Sequence, residues 1–297
     1  MALPADGLTT RSDMVTTGTV VSALIPQAFK EASIWMNLVY SEDLPADAIA
    51  KKFRISGSVI AEAVTEGSVY TPTDTNSDLT DTSVTITAAK AVVGSPISVE
   101  ALRFGGNGAS LARVADEQGR ALARLFDDDC NALINSITLA VTASTTLTTD
   151  TLLEGQYKVL NALCPPGPLV AVLDFKGVYE LQKLVVNAGA AVWTNALATQ
   201  FISGVPQANN YRGNFLGIDI YATTGLSETG SDDQGVIFNP RYAFASVLGG
   251  APETNIRWTG HGVASQVAGF SYEVSTHMFY GVGLWHDSAA CEIRSDT

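Results

Sequence analysis

The chain has 297 residues, a net charge of −13, and 16% charged against 46% hydrophobic residues. That length allows a large core in one or two domains, while the charged fraction is low beside the roughly 25% of an ordinary soluble domain, so partners are expected to cover much of the surface. With 17 basic residues against 30 acidic ones, the balance argues against sequence-independent nucleic-acid binding, which needs clustered Lys and Arg to displace counterions.

Three widely spaced cysteines, Cys130, Cys164 and Cys291, form no CxxC pair and suit a reducing compartment better than a disulfide framework. The first residues, MALPADGLTTRSDM, show no basic segment followed by an apolar run, so no signal peptide is expected. No apolar run approaches the ~18 residues of a membrane span.

Residues 1–18 read as an extended Thr- and Gly-rich arm. The apolar spacing from Val20 to Ala32 predicts a short helix starting near Pro26, where a proline is tolerated in the first turn. Leu38 and Val39 are placed at the start of a strand, and residues 41–52 as an acidic turn. From Phe53 to Ala63, and again from Thr82 to Val92, apolar and polar residues alternate with a period of two, the mark of half-buried strands. Between them lies a Thr-, Asp- and Pro-rich tip, residues 67–82. These segments predict one long two-stranded excursion over residues 53–98. Two strands carry too little apolar surface to stand alone in water, so the excursion needs something to lie on, and a neighbouring subunit is the economical answer.

A helix over 107–137 follows. Leu111, Val114, Ala115, Leu122, Leu125, Phe126, Leu133 and Ile137 recur at steps that line one face. Arg113–Glu117, Asp116–Arg120 and Arg124–Asp128 are four apart and can pair on the other. A second helix is expected over 151–163. A buried strand follows at Leu169–Leu173, then a helix from Asp174, its N-cap, to Asn187. Strands are predicted within 213–223, at Val236–Phe238 and over Tyr242–Leu248. The tail from Ile256 is almost all β. It is expected to pair with strands flanking the long helix, so that one domain is built from both ends of the chain and the middle is inserted as a second.

Little in the sequence points to catalysis. Asp127-Asp128-Asp129 could suggest a metal or acid–base site, but consecutive helical residues point about 100° apart, and a solvated face or an intersubunit salt bridge is the better reading. His261, His277, His286 and Cys291 match no close metal-ligand spacing. Cys164 has no adjacent basic residue to lower its pKa, and no GxSxG elbow is present. Gly105, Gly106 and Gly108 in FGGNGAS lack the Lys-Ser/Thr of a phosphate loop and read instead as a hinge into the long helix. No catalytic, cofactor or metal site is expected.

The order of arm, hairpin, long helix, α/β segment and β tail resembles the major capsid protein of tailed phages, with the Hong Kong 97-type fold, over nearly the whole chain. Two local cues add to it: the strand NFLGIDIYAT, residues 214–223, and the tail AGFSYEVSTHMFYGVGLWHDSAACEIR, residues 268–294, with its aromatic-Gly step and Asp–Ala–Ala-type strand. The resemblance implies an α+β fold with an N-terminal arm and first helix (1–52) and an extended β-hairpin loop (53–98). A peripheral domain follows (99–150 and 253–297, with a spine helix over 107–137), and an axial domain (151–252). It implies a non-enzymatic shell protein of the virion, assembled in the host cytoplasm, whose partners are copies of itself in pentamers and hexamers. The shell would enclose double-stranded DNA without sequence-specific contacts or a membrane, and an acidic wall keeps such contents from sticking. There is room for scaffolding, portal and decoration proteins. Residues expected at subunit contacts are Val59, Glu62, Val69, Tyr70, Asp78, Val84, Ile86 and Lys90 of the excursion and Arg120, Arg124 and Asp128 of the helix. The tip over 67–82 carries no lysine, so linkage between subunits is expected to be non-covalent, unlike the Lys–Asn bonds of some relatives. The alternative readings are an encapsulin-type nanocompartment shell, an α/β hydrolase or transferase with an oligomerising hairpin, and a tail-tube or decoration protein.

Overall fold

The computed structural model describes residues 24–30, 32–45, 47–55, 82–98, 107–143, 146–162, 165–187, 210–226, 233–259 and 271–295. Residues 24–30 are helical (α1), and Pro26 is among them. Strand β1 is Tyr40–Asp43, whereas the sequence places a strand start at Leu38–Val39 and residues 41–43 in a turn. Its polar residues conceal a strand because its partner, β10 (Phe244–Leu248), is about 200 residues away: Ser41 pairs with Ser246, and their hydroxyls lie 2.7 Å apart.

Strands β2 (Ala50–Ile55) and β3 (Thr82–Thr87) pair antiparallel, with Phe53 opposite Val84. The expected hairpin ends at Ala88. Beyond it, β4 (Ala89–Ser98) pairs with β12 (Ser271–Leu284) and, among the described residues, not with the outgoing arm. Residues 89–98 and Lys90 among them therefore belong to a larger sheet, which corrects the reading of 53–98 as one excursion. Periodicity marks a strand but not its partner.

Helix α2 runs Asn107–Ala132 and tightens into a 3₁₀ turn at Leu133–Ser136. Ala115, Leu122, Phe126 and Cys130 form its buried line, whereas Leu125, placed on that line from the sequence, is exposed. After β5 (Ala140–Ala143) come α3 (Thr149–Asn161), β6 (Leu169–Asp174) and α4 (Phe175–Asn187). Thr148 caps α3 by accepting from Thr151 N–H, and Asp174 accepts from Lys176 N–H at 3.0 Å, as its N-cap assignment requires. The 213–223 segment is a hairpin, β7 (Tyr211–Phe215) and β8 (Ile218–Thr223). Strands β9 (Asp233–Phe238), β10 (Phe244–Leu248), β11 (Glu253–Thr259) and β13 (Ala290–Ser295) complete the chain.

Two main sheets result. In the first, β10 and β11 lie end to end along one edge of β12, β4 lies along the other, and β1 extends β10. The second has the order β5-β13-β9-β6-β8-β7. Both tail strands pair with strands flanking α2: β12 with β4, and β13 with β5. The sheets do not follow the 151–252 boundary. Strand β10 joins the first sheet, while β5 and β13 join the second. Pairing between distant segments is invisible to a reading in chain order.

The core has two large parts. Helices α3 and α4 cover one face of the second sheet, with Leu152, Val159, Val178 and Leu181 on Ala171, Leu173, Ile237 and Ile293. On its other face, Val172, Val236 and Phe238 meet α2, α1 and the first sheet. Trp35 sits at that junction, stacked on Phe238 of β9 (5.3 Å) and edge-on to Phe244 of β10 (5.4 Å).

Candidate subunit-interface surfaces

Helix α2 carries polar groups inward as well as apolar ones. Gln118 is buried and fully paired: its amide N–H groups donate to Ser95 Oγ (3.1 Å) and Val274 O (2.8 Å), and its carbonyl accepts from Thr276 Oγ1 (2.6 Å). Asn131 accepts from Trp35 Nε1 (2.7 Å) and donates to Gly225 O (2.9 Å). The helix thus ties β4, β12, the Trp35 turn and the loop after β8 together.

The three consecutive carboxylates fan out, as helical geometry demands. Asp127 accepts from Ser33 Oγ (2.6 Å), Ile34 N (3.0 Å) and Trp35 N (3.3 Å). Burial pushes its pKa up, and these three donors oppose the shift. Asp129 accepts from Tyr280 OH at 2.5 Å, and burial followed by this bond raises the phenol's pKa. Asp128 is exposed. Reading the trio as a solvated face holds for Asp128 and for the exposed Asp129, although Asp129 also ties the helix to Tyr280; Asp127 is held by the turn at 33–35. Burial also raises the thiol pKa of Cys130 well above its usual value and pushes that of Cys291 up to about 11, which keeps both protonated and poorly nucleophilic.

On the outer face of α2, Arg113 pairs with Glu117 (2.9 Å) and Arg120 with Asp116 (3.0 Å). Arg124 and Asp128 are both exposed and not joined to each other, so the third expected pair does not form.

The root of the β2–β3 arm packs on the first sheet through Phe53, Ile86, Ala245 and Val247. Ile86 is 3% exposed in the isolated chain. Its assignment to a neighbour contact is therefore corrected: its apolar surface is already covered by its own subunit. Val84 is partly buried against the same cluster. Trp285 contacts Tyr40 (5.4 Å) and Phe53 (5.7 Å), and its Nε1–H donates to Arg54 O (3.1 Å). Lys51 pairs with Glu42 across the same corner, and Tyr40 OH donates to Glu42 at 2.6 Å. The lysine bond, then the tyrosine bond, holds the Glu42 carboxyl below its ordinary pKa. Val59, Glu62, Val69, Tyr70 and Asp78 lie outside the described residues, as do Cys164, His261 and the Gly105–Gly106 part of the expected hinge.

Other apolar surface faces outward. On α3, Leu153, Tyr157 and Leu160 are 42%, 64% and 54% exposed, at spacings of four and three that line one outer face. On α4, Phe175 and Tyr179 are exposed, with the Arg212 guanidinium 5.0 Å from the Phe175 ring centre. On the outer face of the first sheet, Val92 and Phe279 are exposed, and Lys90 Nζ stands 5.8 Å from the Phe279 ring centre. The α3 stripe was missed in the sequence. Its signal was present: 151–163 carries large apolar residues on opposite sides of one short helix. Among the described residues no helix is long and apolar enough to cross a membrane, so these patches are not parts of a spanning helix.

No protein-family model matches the sequence, and no curated protein matches it. Solved structures do. A chain of Mycobacterium phage Che8 is similar with a TM-score of 0.62 at 16% identity, over 88% of this chain and 90% of that one. The capsid structure of the cyanophage P-SCSP1u gives a TM-score of 0.61 at 16% identity, over 90% and 89%. The capsid of a native GTA particle gives 0.64 at 11% identity, over 90% and 91%. At such identities the likeness is one of fold.

Proposed function

From the phage major capsid fold as premise, we propose that this chain is the head protein of a tailed double-stranded DNA phage, assembling through pentamers and hexamers into a closed icosahedral shell around the genome. The observation that carries this reading is the likeness to capsid structures along about nine-tenths of both chains, this one and theirs. In this reading α2 is the spine helix. The first sheet with α1 forms the peripheral domain, the second sheet with α3 and α4 the axial domain, and residues 1–18 the N-terminal arm. The β2–β3 arm reaches over a neighbouring subunit, and the exposed α3 stripe meets a second copy. Val59, Glu62, Val69, Tyr70, Asp78, Val84, Lys90, Arg120, Arg124 and Asp128 remain proposed contacts. Each contact can be weak, because a subunit makes several and closure makes them cooperative, while heterologous contacts close into rings. Scaffolding, portal and decoration proteins are proposed further partners, with assembly in the host cytoplasm.

The test is electron microscopy and sedimentation of the purified protein beside a variant lacking residues 67–81. The full chain is expected to give angular shells or rings of five and six, and the deletion a folded chain that forms neither. A full chain that stays monomeric across salt and pH overturns the shell reading. Normal particles from the deletion remove the arm from the assembly mechanism.

A further inference from the structure

The arm leaves the body at a joint whose two sides are held by different devices. On the β3 side, the chain passes over Gly281 and Gly283 of β12. A Cβ at Gly281 would run into Thr87 O, and one at Gly283 would stand 2.9 Å from Ile86 Cγ1. No other residue type lets Ile86 and Thr87 approach the sheet so closely. On the β2 side, Trp285 packs on Phe53 and donates to Arg54 O. Between the two, Ala88 N–H donates to Ile49 O at 2.8 Å, closing the base of the arm on itself. All three body residues, Gly281, Gly283 and Trp285, alternate along one short stretch of chain, so they present one face to the arm. Gly281 pairs with Val247 and Gly283 with Ala245, both of which lie in the cluster under Phe53 and Ile86.

We propose that Gly281, Gly283 and Trp285 form a rigid seat that sets the angle at which the β2–β3 arm leaves the subunit, and that this angle is a determinant of shell geometry. The second half rests on the shell reading above; the first does not. Packed interfaces of this kind hold one arrangement and do not deform continuously. The described root of the arm, β2 and β3, therefore leaves the sheet at a fixed angle. This is a positioning role. A structural role alone would change stability without changing direction.

The experiment places nitroxide labels at Thr85→Cys on the arm and Ala132→Cys at the end of α2, both exposed positions, in a Cys164→Ser background, spin-diluted with unlabelled protein. Pulsed electron–electron resonance reads the distance between them, and microscopy reads particle shape. The parent is expected to give one narrow distance. Gly281→Ala puts a Cβ against Thr87 O, so something there must shift; its mean distance changes, and its particles change in diameter or become tubular. Trp285→Phe keeps a ring against Phe53 but loses the donor to Arg54 O, and it broadens the distribution while the fold persists. If Gly281→Ala fails to fold, Trp285→Phe decides. A broad parent distribution overturns the seat, as do parent-like distances in both variants even with lowered melting temperatures. Shifted distances with unaltered particles overturn the link to shell geometry. If not even the parent forms particles, the shell reading fails while the distances still decide the seat.

Discussion

Asp127 shows how one side chain can serve a junction. It takes three donors from the turn at 33–35, and removing it leaves buried N–H groups without an acceptor. Asp127→Ala is expected to destabilise by about 1–3 kcal/mol, since an orphaned buried donor carries its full desolvation cost. Asp127→Asn, which retains one acceptor oxygen, should lose less. Urea denaturation of the three proteins checks the order. Glu42 makes a prediction with a definite sign in pH. Its folded pKa lies below the ordinary 4.5 because Lys51 and Tyr40 bond its carboxylate. A depressed carboxyl adds stability above its unfolded pKa and loses it as pH falls through the folded value. The melting temperature of the parent should therefore exceed that of Glu42→Gln at pH 7, and the gap should shrink below about pH 4. Equal gaps at pH 7 and pH 3 would remove the ion pair from the arm's root. Asp127 has the opposite sign: burial raises its pKa, so its ionisation opposes folding as pH rises.

Among the elements, the crossing of α1 over α2 is governed by Gly119. A Cβ there would stand 2.6 Å from Ala28 Cβ and 2.9 Å from Ile25 O. Two effects compete in Gly119→Ala. Alanine gains about 1 kcal/mol of helix propensity, while overpacking a tight contact costs about 1–3 kcal/mol. The contact includes backbone, which cannot swing aside as a side-chain tip can. The overpacking cost is expected to win, with a lower melting temperature and weakened edge-to-face contact between Phe29 and Phe126, now at 5.9 Å. A stabilised Gly119→Ala would show that α1 can slide along α2. Helix α3 stands in contrast. Its inner residues Leu152, Gly155 and Val159 are spent on the second sheet, so its outer stripe is free for another chain.

For the whole molecule, that stripe makes assembly sensitive to charge. Tyr157→Glu puts a carboxylate in the middle of a surface proposed to be covered by a second copy, and burying an unpaired charge costs several kcal/mol. Because Tyr157 is 64% exposed in the isolated chain, the fold itself should be almost unaffected. The expected outcome is a parent-like circular dichroism spectrum and melting curve with loss of large particles in sedimentation. Unchanged particles would place α3 on a free surface of the shell. The low charged fraction of 16% agrees with a chain whose exterior is largely covered, since the surface of a free monomer normally carries more charge.

Local pattern was enough for much of this fold. Alternation marked β3, β12 and the second half of β2, whose first half the sequence placed in a turn; helical spacing marked α2 and α4, and Asp174 announced its own cap, because each signal is carried by residues adjacent in the chain. The order of these elements was enough to suggest the capsid fold. Partner choice was not legible. Ala88 divides β3 from β4 because β12 competes for the second strand, and β1 is a strand only because β10 lies beside it. Ile86 looked like an interface residue and proved to be core, while Leu153, Tyr157 and Leu160, to which the sequence assigned no face, point outward. A face is buried or exposed according to what folds against it. For Gly281, Gly283 and Trp285, that was the arm some 200 residues earlier in the chain, a contact only the tertiary structure could decide.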